Sequence, residues 1–478
     1  MTSNAIVWFR QDLRLYDNPA FAEACRHHDK IIPIYILDKI QAPVEGAQRW
    51  WLHHSLESLD KSLKKLGLNL CLRQGKAIDV LKQVAQEFQI KTIYWNRCYD
   101  PVAIERDTLI KNIFQTSGMN IVSTNGSLLH EPWQIKNMSG VFFKVFTPYW
   151  RACLKQMNIP EPYTSSSIPK ALEAPSDSLA SWKLLPTMPN WAKGFGDYWQ
   201  PGEEGAYKKL AHFVDTNLKN YNTARDIPAK NATSRLSPHL HFGEISPWQI
   251  WRTIKEATLD KDCDLKSAER FLSEIGWREF SYYLLYHVPS LPNANYKSNF
   301  DGFPWENDET LLSRWQKGMT GYPIVDAGMR ELWHTGYMHN RIRMIVASFL
   351  TKDLFIDWRI GASWFSDTLV DADIASNSAS WQWVAGSGAD AAPYFRIFNP
   401  ILQGGKFDPK GEYVKKWVPE LKSVPVQWVH KPWMTPQDKL GLCLGKDYPE
   451  PIVDHSEARN KALLHYKMIG AQQHYKKD

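Results

Sequence analysis

The sequence contains few cysteines, and their positions suggest neither a metal site nor a disulfide framework. The six cysteines are scattered through 478 residues, and none forms a Cys-x-x-Cys pair or a Cys/His cluster with metal-ligand spacing. Such a distribution is typical of reduced thiols in a cytoplasmic protein. We therefore expect no structural disulfide and no metal ligand among Cys25, Cys71, Cys98, Cys153, Cys263 and Cys443.

Long apolar segments are also missing. No run approaches the roughly 18 apolar residues that a membrane-spanning helix needs, and the first residues, MTSNAIVWFRQDLR, have no apolar secretory core. Neither G-x-G-x-x-G nor a P-loop occurs, which argues against an ordinary dinucleotide or triphosphate site. The sequence thus predicts a soluble cytoplasmic protein that contacts no membrane.

Tryptophan, in contrast, is abundant. The chain has 22 Trp residues, many of them after residue 240, and a formal net charge of +6. Most of these indoles are expected to fill the core, and a minority would be available to stack on a flat ligand. The mild positive charge is compatible with a local surface that binds phosphates.

Hydrophobic periodicity divides the chain into three parts. In residues 1–130, short β-branched segments alternate with helical patterns, which is typical of a parallel sheet covered by helices. Residues 131–198 are rich in proline, serine and tryptophan and predict a long surface connector, whereas residues 199–478 predict an almost all-α domain. The predicted strands are AIVWF (5–9), KIIPIYIL (30–37), NLCLR (69–73), KTIYW (91–95) and MNIVS (119–123).

The stretch TSRLSPHLHFGEIS places hydroxyl groups around a cation. Thr233, Ser234 and Ser237 surround Arg235. At a helix start, hydroxyls, backbone N–H groups and a guanidinium can bind phosphate. The alternative is an ordinary helix N-cap formed by Thr233 or Ser237.

The stretch FLSEIGWREFSYYLLYH predicts a helix with a mixed face. Glu274, Trp277 and Arg278 lie at positions i, i+3 and i+4, so they share one side of that helix. A carboxyl, an indole and a guanidinium together suit a site that stacks a base and donates or accepts a proton. The alternative is a Glu274–Arg278 surface pair beside a core indole.

Acids, amides and aromatic residues recur between residues 338 and 400. Two arginines in GYMHNRIRM suit phosphate contact or pairing with the acids of DADIAS, Asp371 and Asp373; the alternative is a solvated basic helix. The following segment combines these acids with a Trp-x-Trp pair and an aromatic tail. This mixture predicts a polar, planar ligand held against aromatic walls, formed by Trp381, Trp383, Tyr394, Phe395 and Phe398.

Taken in order, these motifs resemble the photolyase/cryptochrome family. The resemblance runs from Ala5 to about Tyr466 and is closest to bacterial enzymes that repair cyclobutane pyrimidine dimers. It implies an N-terminal α/β domain, a connector and a helical domain that holds FAD, active in its reduced form. The motifs that carry it are WFRQDLRLYDNPA, KVFTPYWRAC, TSRLSPHLHFGEIS, GYPIVDAGMRELWHTGYMHNRIRM and SWQWVAGSGADAAPYFRIFNPILQGGKFDP.

The resemblance also implies residue roles around the flavin. Arg343 would pair with Asp371, and Asn377 would face the flavin N5 atom. Electrons would pass to the flavin through Trp381, Trp358 and Trp305. The full set of implied FAD contacts is Tyr221, Thr233, Ser234, Arg235, Leu236, Ser237, Asn340, Arg343, Asp371, Asp373 and Asn377.

A second set of implied roles concerns UV-damaged DNA, single- or double-stranded, bound by a monomer. Trp277 and Trp383 would flank an extruded dimer, and Glu274 would hydrogen-bond it. Glu274, Met344 and Asn377 are the implied catalytic residues. The implied DNA and lesion contacts are Arg225, Glu274, Trp277, Arg278, Asn340, Arg341, Trp383 and Gln403.

Three positions separate branches of this family. Asn377 matches photolyases, since cryptochromes carry Asp or Cys there, and Met344 stands where (6-4) photolyases carry His. Glu274 with Trp277 likewise fits dimer repair, and no long polar tail of the kind many cryptochromes use follows. The prediction is a deoxyribodipyrimidine photo-lyase, with a (6-4) photolyase or a cryptochrome-type blue-light photoreceptor as alternatives.

Members of this family also carry a second, antenna chromophore. We expect 5,10-methenyltetrahydrofolate, with a deazaflavin as the alternative. Glu105 stands where some relatives have a folate-contacting Glu; alternatively it pairs with Arg106 or the helix dipole. The segment RWWLHHSL at 49–56 suits core packing or an aromatic wall for this group.

Overall fold

The computed structural model describes residues 3–39, 44–259, 264–391 and 395–475. The chain packs into two compact units, each assembled from separate segments. The first comprises Met1–Lys219, Ser234–Pro289 and Val370–Asp373. The second comprises Asn220–Thr233, Ser290–Leu369 and Ile374–Asp478. The predicted boundaries at 130 and 198 follow a different division and stay predictions.

A parallel sheet lies in the first unit, as the alternating pattern predicts. Its strand order is β3-β2-β1-β4-β5, and a short β6 pairs with β2 outside this path. All pairings are parallel; for example, Ile6 lies opposite Ile32 on one side and Ile93 on the other. The strands are β1 (Asn4–Phe9), β2 (Lys30–Leu37), β3 (Cys71–Gln74), β4 (Thr92–Asn96), β5 (Asn120–Thr124) and β6 (Lys170–Ala171).

Helices connect the strands and make up most of the remaining described chain. They are α1 (Pro19–His27), α2 (Gly46–Lys65), α3 (Ala77–Glu87), α4 (Pro101–Thr116), α5 (Phe146–Lys155), α6 (Glu203–Thr216), α7 (Tyr221–Ala224), α8 (Ser237–His241), α9 (Pro247–Ala257), α10 (Leu265–His287), α11 (Glu309–Gln316), α12 (Pro323–Thr335), α13 (Asn340–Lys352), α14 (Trp358–Thr368), α15 (Ile374–Ala385), α16 (Pro400–Phe407), α17 (Glu412–Trp417), α18 (Gln437–Leu440) and α19 (His455–Tyr475).

Burial explains why the strands are apolar throughout. One core cluster joins the sheet to its covering helices and contains Trp8, Ile34, Leu81, Ile93 and Ile110, each at most 2% exposed. Because parallel strands with helices on both faces are buried on both sides, they read as continuous apolar runs. The core packing expected as one reading of RWWLHHSL is confirmed for its two indoles, which are both buried.

The proline-rich segment 131–198 contains more secondary structure and more buried side chains than a surface connector needs. It forms α5, in which Tyr149, Trp150 and Cys153 are buried, and also β6. Proline and serine mark turns between these elements, but the buried aromatic side chains anchor them.

The five cysteines within the described ranges are unpaired. None of the helices in those ranges is long and apolar enough to span a bilayer.

Candidate functional site

In the first unit, α8 and the segment Val370–Asp373 place hydroxyl, imidazole and carboxylate groups together. The Ser237 hydroxyl donates to Asp371 Oδ2 at 2.6 Å, and Ser237 is the first residue of α8, whose N-cap position is held by Leu236. The Tyr282 hydroxyl donates to Asp373 Oδ2, and His241 Nδ1 lies 3.4 Å from the same oxygen. These bonds join residues more than 90 positions apart into one polar group.

The Asp373 carboxylate is strongly stabilised in its charged form. Burial opposes ionisation, but hydrogen bonds from His241 and Tyr282 and the charges of His241 and Arg278 lower its pKa well below the usual range. Asp373 is only 8% exposed. The arrangement therefore maintains a fixed buried anion, which suits an acceptor for the N–H or O–H groups of a polar ligand.

Two cations face one indole in the same unit. The Arg235 guanidinium carbon lies 6.0 Å from the Trp199 ring centroid and the Lys209 ammonium 5.5 Å from it. Burial and the nearby charge of Arg235 lower the pKa of Lys209. Arg235 has a φ of 52°, which turns its backbone away from regular helix. An anion between the two cations would relieve their repulsion, so the pair suits a phosphate group. Sequence reasoning missed Lys209, which lies in no motif.

Helix α10 carries Glu274, Trp277 and Arg278 on one face, as predicted. Trp277 is half-buried, and its ring stacks on Phe146 of α5 with centroids 3.8 Å apart and planes inclined by 10°. Glu274 Oε1 lies 3.6 Å from the Arg270 guanidinium one turn earlier, so an i,i+4 ion pair on this helix involves Arg270. Phe146, which the sequence did not single out, fixes the plane of the indole.

Arg278 is largely enclosed. Its side chain is 13% exposed, it donates from Nη1 to the Ser127 carbonyl at 2.8 Å, and it lies 4.8 Å from the Tyr282 ring centroid. Its charge also acts on the Asp373 carboxylate. The predicted contact between Arg278 and DNA stays a prediction, and the structure gives this side chain an additional role within its own unit.

In the second unit, Asn377 on α15 has a fixed amide orientation. Its Nδ2 donates to the Ala362 carbonyl at 2.9 Å and to Ser366 Oγ at 3.1 Å. Because a carbonyl oxygen can only accept, the amide nitrogen must face Ala362. Asn377 Oδ1 is therefore the remaining acceptor that this side chain can offer to a ligand.

Trp381 is a buried indole in an aromatic environment. It is 2% exposed, and its ring makes T-shaped contacts with Phe365 at 5.0 Å and Trp315 at 6.4 Å. Its Nε1 has no hydrogen-bond partner in the described part of the chain. Trp358 is fully buried and donates to Asn295, whereas Trp305 is half-buried. The order of electron transfer through Trp358 and Trp305 stays a prediction.

A cluster of arginines lies near α7 and α13. Arg341 donates to Asp226 Oδ1 at 2.9 Å, and Arg225 lies 3.8 Å from the same oxygen. The Arg341 guanidinium also lies 4.4 Å from the Phe407 ring centroid, while its Nη1 is 3.7 Å from the Met344 sulfur. The alternative of a fully solvated basic helix is therefore wrong, because Arg341 is only 19% exposed.

The remaining predicted residues of the second unit have more varied surroundings. Arg343 donates from Nε to the Met338 carbonyl at 2.7 Å, and its pairing with Asp371 stays a prediction. Trp383 is half-buried below the Arg396 guanidinium, 5.3 Å from its ring centroid. Tyr221 is buried, Thr233 and Gln403 are half-buried, and Asn340 is exposed. Tyr394 lies outside the described residues.

Three further predicted residues of the first unit, Ser234, Leu236 and Glu105, make few contacts that bear on a ligand. Ser234 Oγ accepts from the Leu236 amide at 3.4 Å, which closes a local turn before α8. Leu236 is buried. Glu105 is exposed on α4, and the neighbouring Arg106 bonds Asp107. The location of Glu105 leaves its carboxylate accessible to a ligand.

Comparison with known proteins identifies the family. The DNA photolyase family model matches residues 5–170, and a model described as the FAD binding domain of DNA photolyase matches residues 271–468. The deoxyribodipyrimidine photo-lyase of Agrobacterium fabrum is 52% identical over 476 residues, which cover 98% of each chain. This chain belongs to the photolyase/cryptochrome family.

Both branches of the photolyase/cryptochrome family are among the relatives. Cryptochrome-2 of Arabidopsis thaliana is 38% identical over 500 residues, which cover 98% of this chain and 81% of that protein. A crystal structure of a bacterial class III photolyase from Agrobacterium tumefaciens superposes with a TM-score of 0.94 at 51% identity, covering 98% of both chains. The family and the fold class predicted from the sequence are confirmed.

Proposed function

We propose that this protein is a deoxyribodipyrimidine photo-lyase, a light-driven enzyme that splits cyclobutane pyrimidine dimers in UV-damaged DNA. The observation that carries this proposal is the 52% identity to a deoxyribodipyrimidine photo-lyase over 98% of both chains. The site residues agree with that similarity. Asn377 and Met344 stand at two of the positions that separate dimer repair from its alternatives, and Trp277 is a half-buried indole.

The residues present fit FAD as the cofactor. Asp373 offers a buried anion to hydroxyl or N–H groups, and the cations at Arg235 and Lys209 suit phosphates. Asn377 Oδ1 offers an acceptor to the N5–H of a reduced flavin. When bound and reduced, FAD supplies the electron that light transfers to the lesion and that returns after the dimer splits. The other proposed FAD contacts are Tyr221, Thr233, Ser234, Leu236, Ser237, Asn340, Arg343 and Asp371.

The aromatic side chains address a geometric problem of the substrate. A dimer inside duplex DNA cannot reach a buried cofactor, so it must be extruded, and damage already weakens its pairing and stacking. Trp277 and Trp383 would recover part of that stacking on an extruded dimer. Phe146 supports this role because it covers one face of Trp277 and keeps the indole plane fixed.

Glu274→Gln is expected to bind the lesion nearly as well as the unaltered enzyme but to repair it with a lower quantum yield. The amide keeps a hydrogen-bonding group, but it cannot stabilise the charge that develops on the pyrimidine carbonyl by donating a proton. The measurement is repair per absorbed photon with the flavin fully reduced. Glu269→Gln, on the same helix, is the control, and equal yields in all three proteins would exclude this role for Glu274.

One experiment tests the proposed function directly. Purified protein with reduced FAD is illuminated with near-UV or blue light in the presence of oligonucleotides that carry either a cyclobutane dimer or a (6-4) photoproduct. We expect light-dependent repair of the first oligonucleotide only. Repair of the second would support the (6-4) alternative, for which Met344 lacks the required proton donor. Repair of neither lesion would favour a cryptochrome-type photoreceptor.

Lesion binding is expected to weaken steeply as salt concentration rises, because we propose that Arg225, Arg278 and Arg341 contact phosphates. Each lost contact should change the slope of log affinity against log salt by about 0.9. Arg341→Ala should therefore flatten this slope. The control is Arg359→Ala, which removes an arginine paired with Asp357 at 2.8 Å in the same unit. A slope unaffected by Arg341→Ala would remove that residue from the DNA contacts.

For the antenna we propose 5,10-methenyltetrahydrofolate, contacted by the exposed Glu105. Ligands of open parallel sheets bind beyond the carboxyl ends of the strands where the order reverses, here between β1 and β4. At that point Arg10 is buried, lies 4.6 Å from the Trp8 ring centroid and pairs with Asp107 at 2.5 Å. The alternative antenna chromophore is a deazaflavin. The absorption spectrum of the purified protein distinguishes the two chromophores.

A further inference from the structure

Lys352, at the end of α13, is a buried cation that belongs neither to the proposed FAD contacts nor to the proposed DNA contacts. It is 2% exposed. Its Nζ donates to the Val384 carbonyl at 2.6 Å and also to the Arg396 carbonyl. The same ammonium group lies 4.5 Å from the Phe395 ring centroid. A buried ammonium is costly unless its donors are satisfied, and here two carbonyls and an aromatic face surround it.

The two carbonyls belong to different parts of the Trp383-bearing segment. Val384 lies in the last turn of α15, where carbonyl groups lack partners within the helix and favour a cation. Arg396 lies where the chain returns towards α16. One turn earlier on the same face of α13, Ser348 Oγ accepts from the Phe398 amide at 3.1 Å. Ser348 and Lys352 therefore fix both the distance of Arg396 and Phe398 from α13 and their position along it.

The two hydrogen bonds of Lys352 also fix the directions of the Trp383 and Arg396 side chains. Trp383 directly precedes Val384, and the Arg396 guanidinium lies 5.3 Å from the Trp383 ring centroid. Moving the Val384 or the Arg396 carbonyl away from Lys352 would separate the Arg396 guanidinium from the Trp383 indole. We propose that Lys352 is a positioning residue for lesion binding, which joins Val384 to Arg396 and so holds Trp383 and Arg396 against an extruded pyrimidine dimer. This inference rests on the proposed function.

The test is a Lys352→Met variant, which keeps side-chain length but removes all three donors. We expect its dissociation constant for a dimer-containing oligonucleotide to rise about tenfold or more, comparable to the loss of one stacking base. Its affinity for undamaged DNA and its FAD content should stay within about twofold of the unaltered protein. Binding is measured in the dark with purified full-length protein.

A matched control is available on α12 of the same unit. Asp326 is also buried and accepts from the Thr320 amide at 2.7 Å and from the Thr320 hydroxyl at 2.6 Å, so Asp326→Asn removes a buried charge without touching Lys352, Val384 or Arg396. It should lower thermal stability but leave lesion affinity within about twofold. Should Lys352→Met fail to fold, Ser348→Ala, which loosens the same returning segment, should weaken lesion binding in the same direction.

A double-mutant cycle separates positioning from general destabilisation. If Lys352 acts through Trp383, then adding Lys352→Met to Trp383→Ala should cause little further loss of lesion affinity. Additive losses, or lesion affinity unchanged by Lys352→Met while Trp383→Ala reduces it, would overturn the inference. If the unaltered protein itself does not prefer damaged DNA, the proposed function fails instead.

Protonation of Lys352 provides a second readout. Burial lowers its pKa to about 7; the Asp353 carboxylate opposes this shift, and the Arg396 guanidinium adds to it. The unfolded chain, with an amine pKa of 10.5, therefore binds more protons between about pH 7 and pH 10. The stability of the unaltered protein should rise with pH through this window relative to Lys352→Met. If stability changes with pH in the same way in both proteins, the Lys352 ammonium group is not buried between Val384 and Arg396, and the inference fails.

Discussion

Photo-lyase carrying Trp381→Phe is expected to retain its FAD and to lose light-driven reduction of that flavin by an external thiol. Phenylalanine fills most of the indole volume between Phe365 and Trp315 but is much harder to oxidise than tryptophan. The proposed FAD contacts lie elsewhere, at Asp373 and Asn377 among others. The measurement is the rate at which the oxidised flavin absorption disappears under blue light, normalised to bound FAD.

Trp251→Phe is the matched control for this variant. Trp251 is also a buried indole, 3% exposed, and its Nε1 likewise has no hydrogen-bond partner in the described ranges. It should photoreduce its flavin at the unaltered rate. Chemically reduced Trp381→Phe enzyme should still repair dimers, because the repair electron does not pass through this indole. If Trp381 only fills the core, the variant would instead lose flavin or melt at lower temperature, with photoreduction per flavin unchanged.

Trp277→Ala and Trp383→Ala should each weaken binding of dimer-containing DNA by about 1–3 kcal/mol, the usual contribution of one aromatic–base stack. Neither should release FAD. Affinity is measured with a dimer-containing oligonucleotide and its undamaged counterpart. Trp333→Ala serves as the control, because Trp333 is 58% exposed and stacks on Trp364, outside the proposed lesion contacts.

The stacking geometry sharpens this expectation for Trp277. Phe146 covers one face of its indole at 3.8 Å, so that face cannot also stack on a pyrimidine. Phe146→Leu should consequently weaken lesion binding in the same direction, by less than Trp277→Ala, through loss of orientation. Unchanged affinity in both tryptophan variants would place the lesion pocket elsewhere.

Local patterns predicted local structure well. The apolar, β-branched runs at 5–9 and 30–37 became β1 and β2, and the spacing of Glu274, Trp277 and Arg278 placed them on one face of α10. The strands show as continuous apolar runs and the helix face as a spacing of three and four residues, and both patterns are visible in any short window. The β3 prediction at 69–73 differed from Cys71–Gln74 only at its ends.

Contacts between distant residues were beyond the reach of those patterns. The bond from Ser237 to Asp371 joins positions 134 residues apart, so the sequence left a helix cap as an open alternative. Lys209 and Lys352 look like ordinary lysines, because only burial distinguishes them from solvated ones. Segment 131–198 has the composition of a linker, and only packing shows that α5 anchors it through Trp150.

The division of the first unit among three chain segments has a consequence for synthesis on the ribosome. Val370–Asp373 belongs to a unit whose preceding segment ends at Pro289, about 80 residues earlier. At about 5–20 residues per second, its two carboxylates emerge several seconds after Ser237 and Tyr282. During that interval the nascent sheet can form, but the Ser237 and Tyr282 hydroxyls still lack the carboxylates that accept their hydrogen bonds in the complete protein. Completion of this unit therefore waits for translation of much of the second.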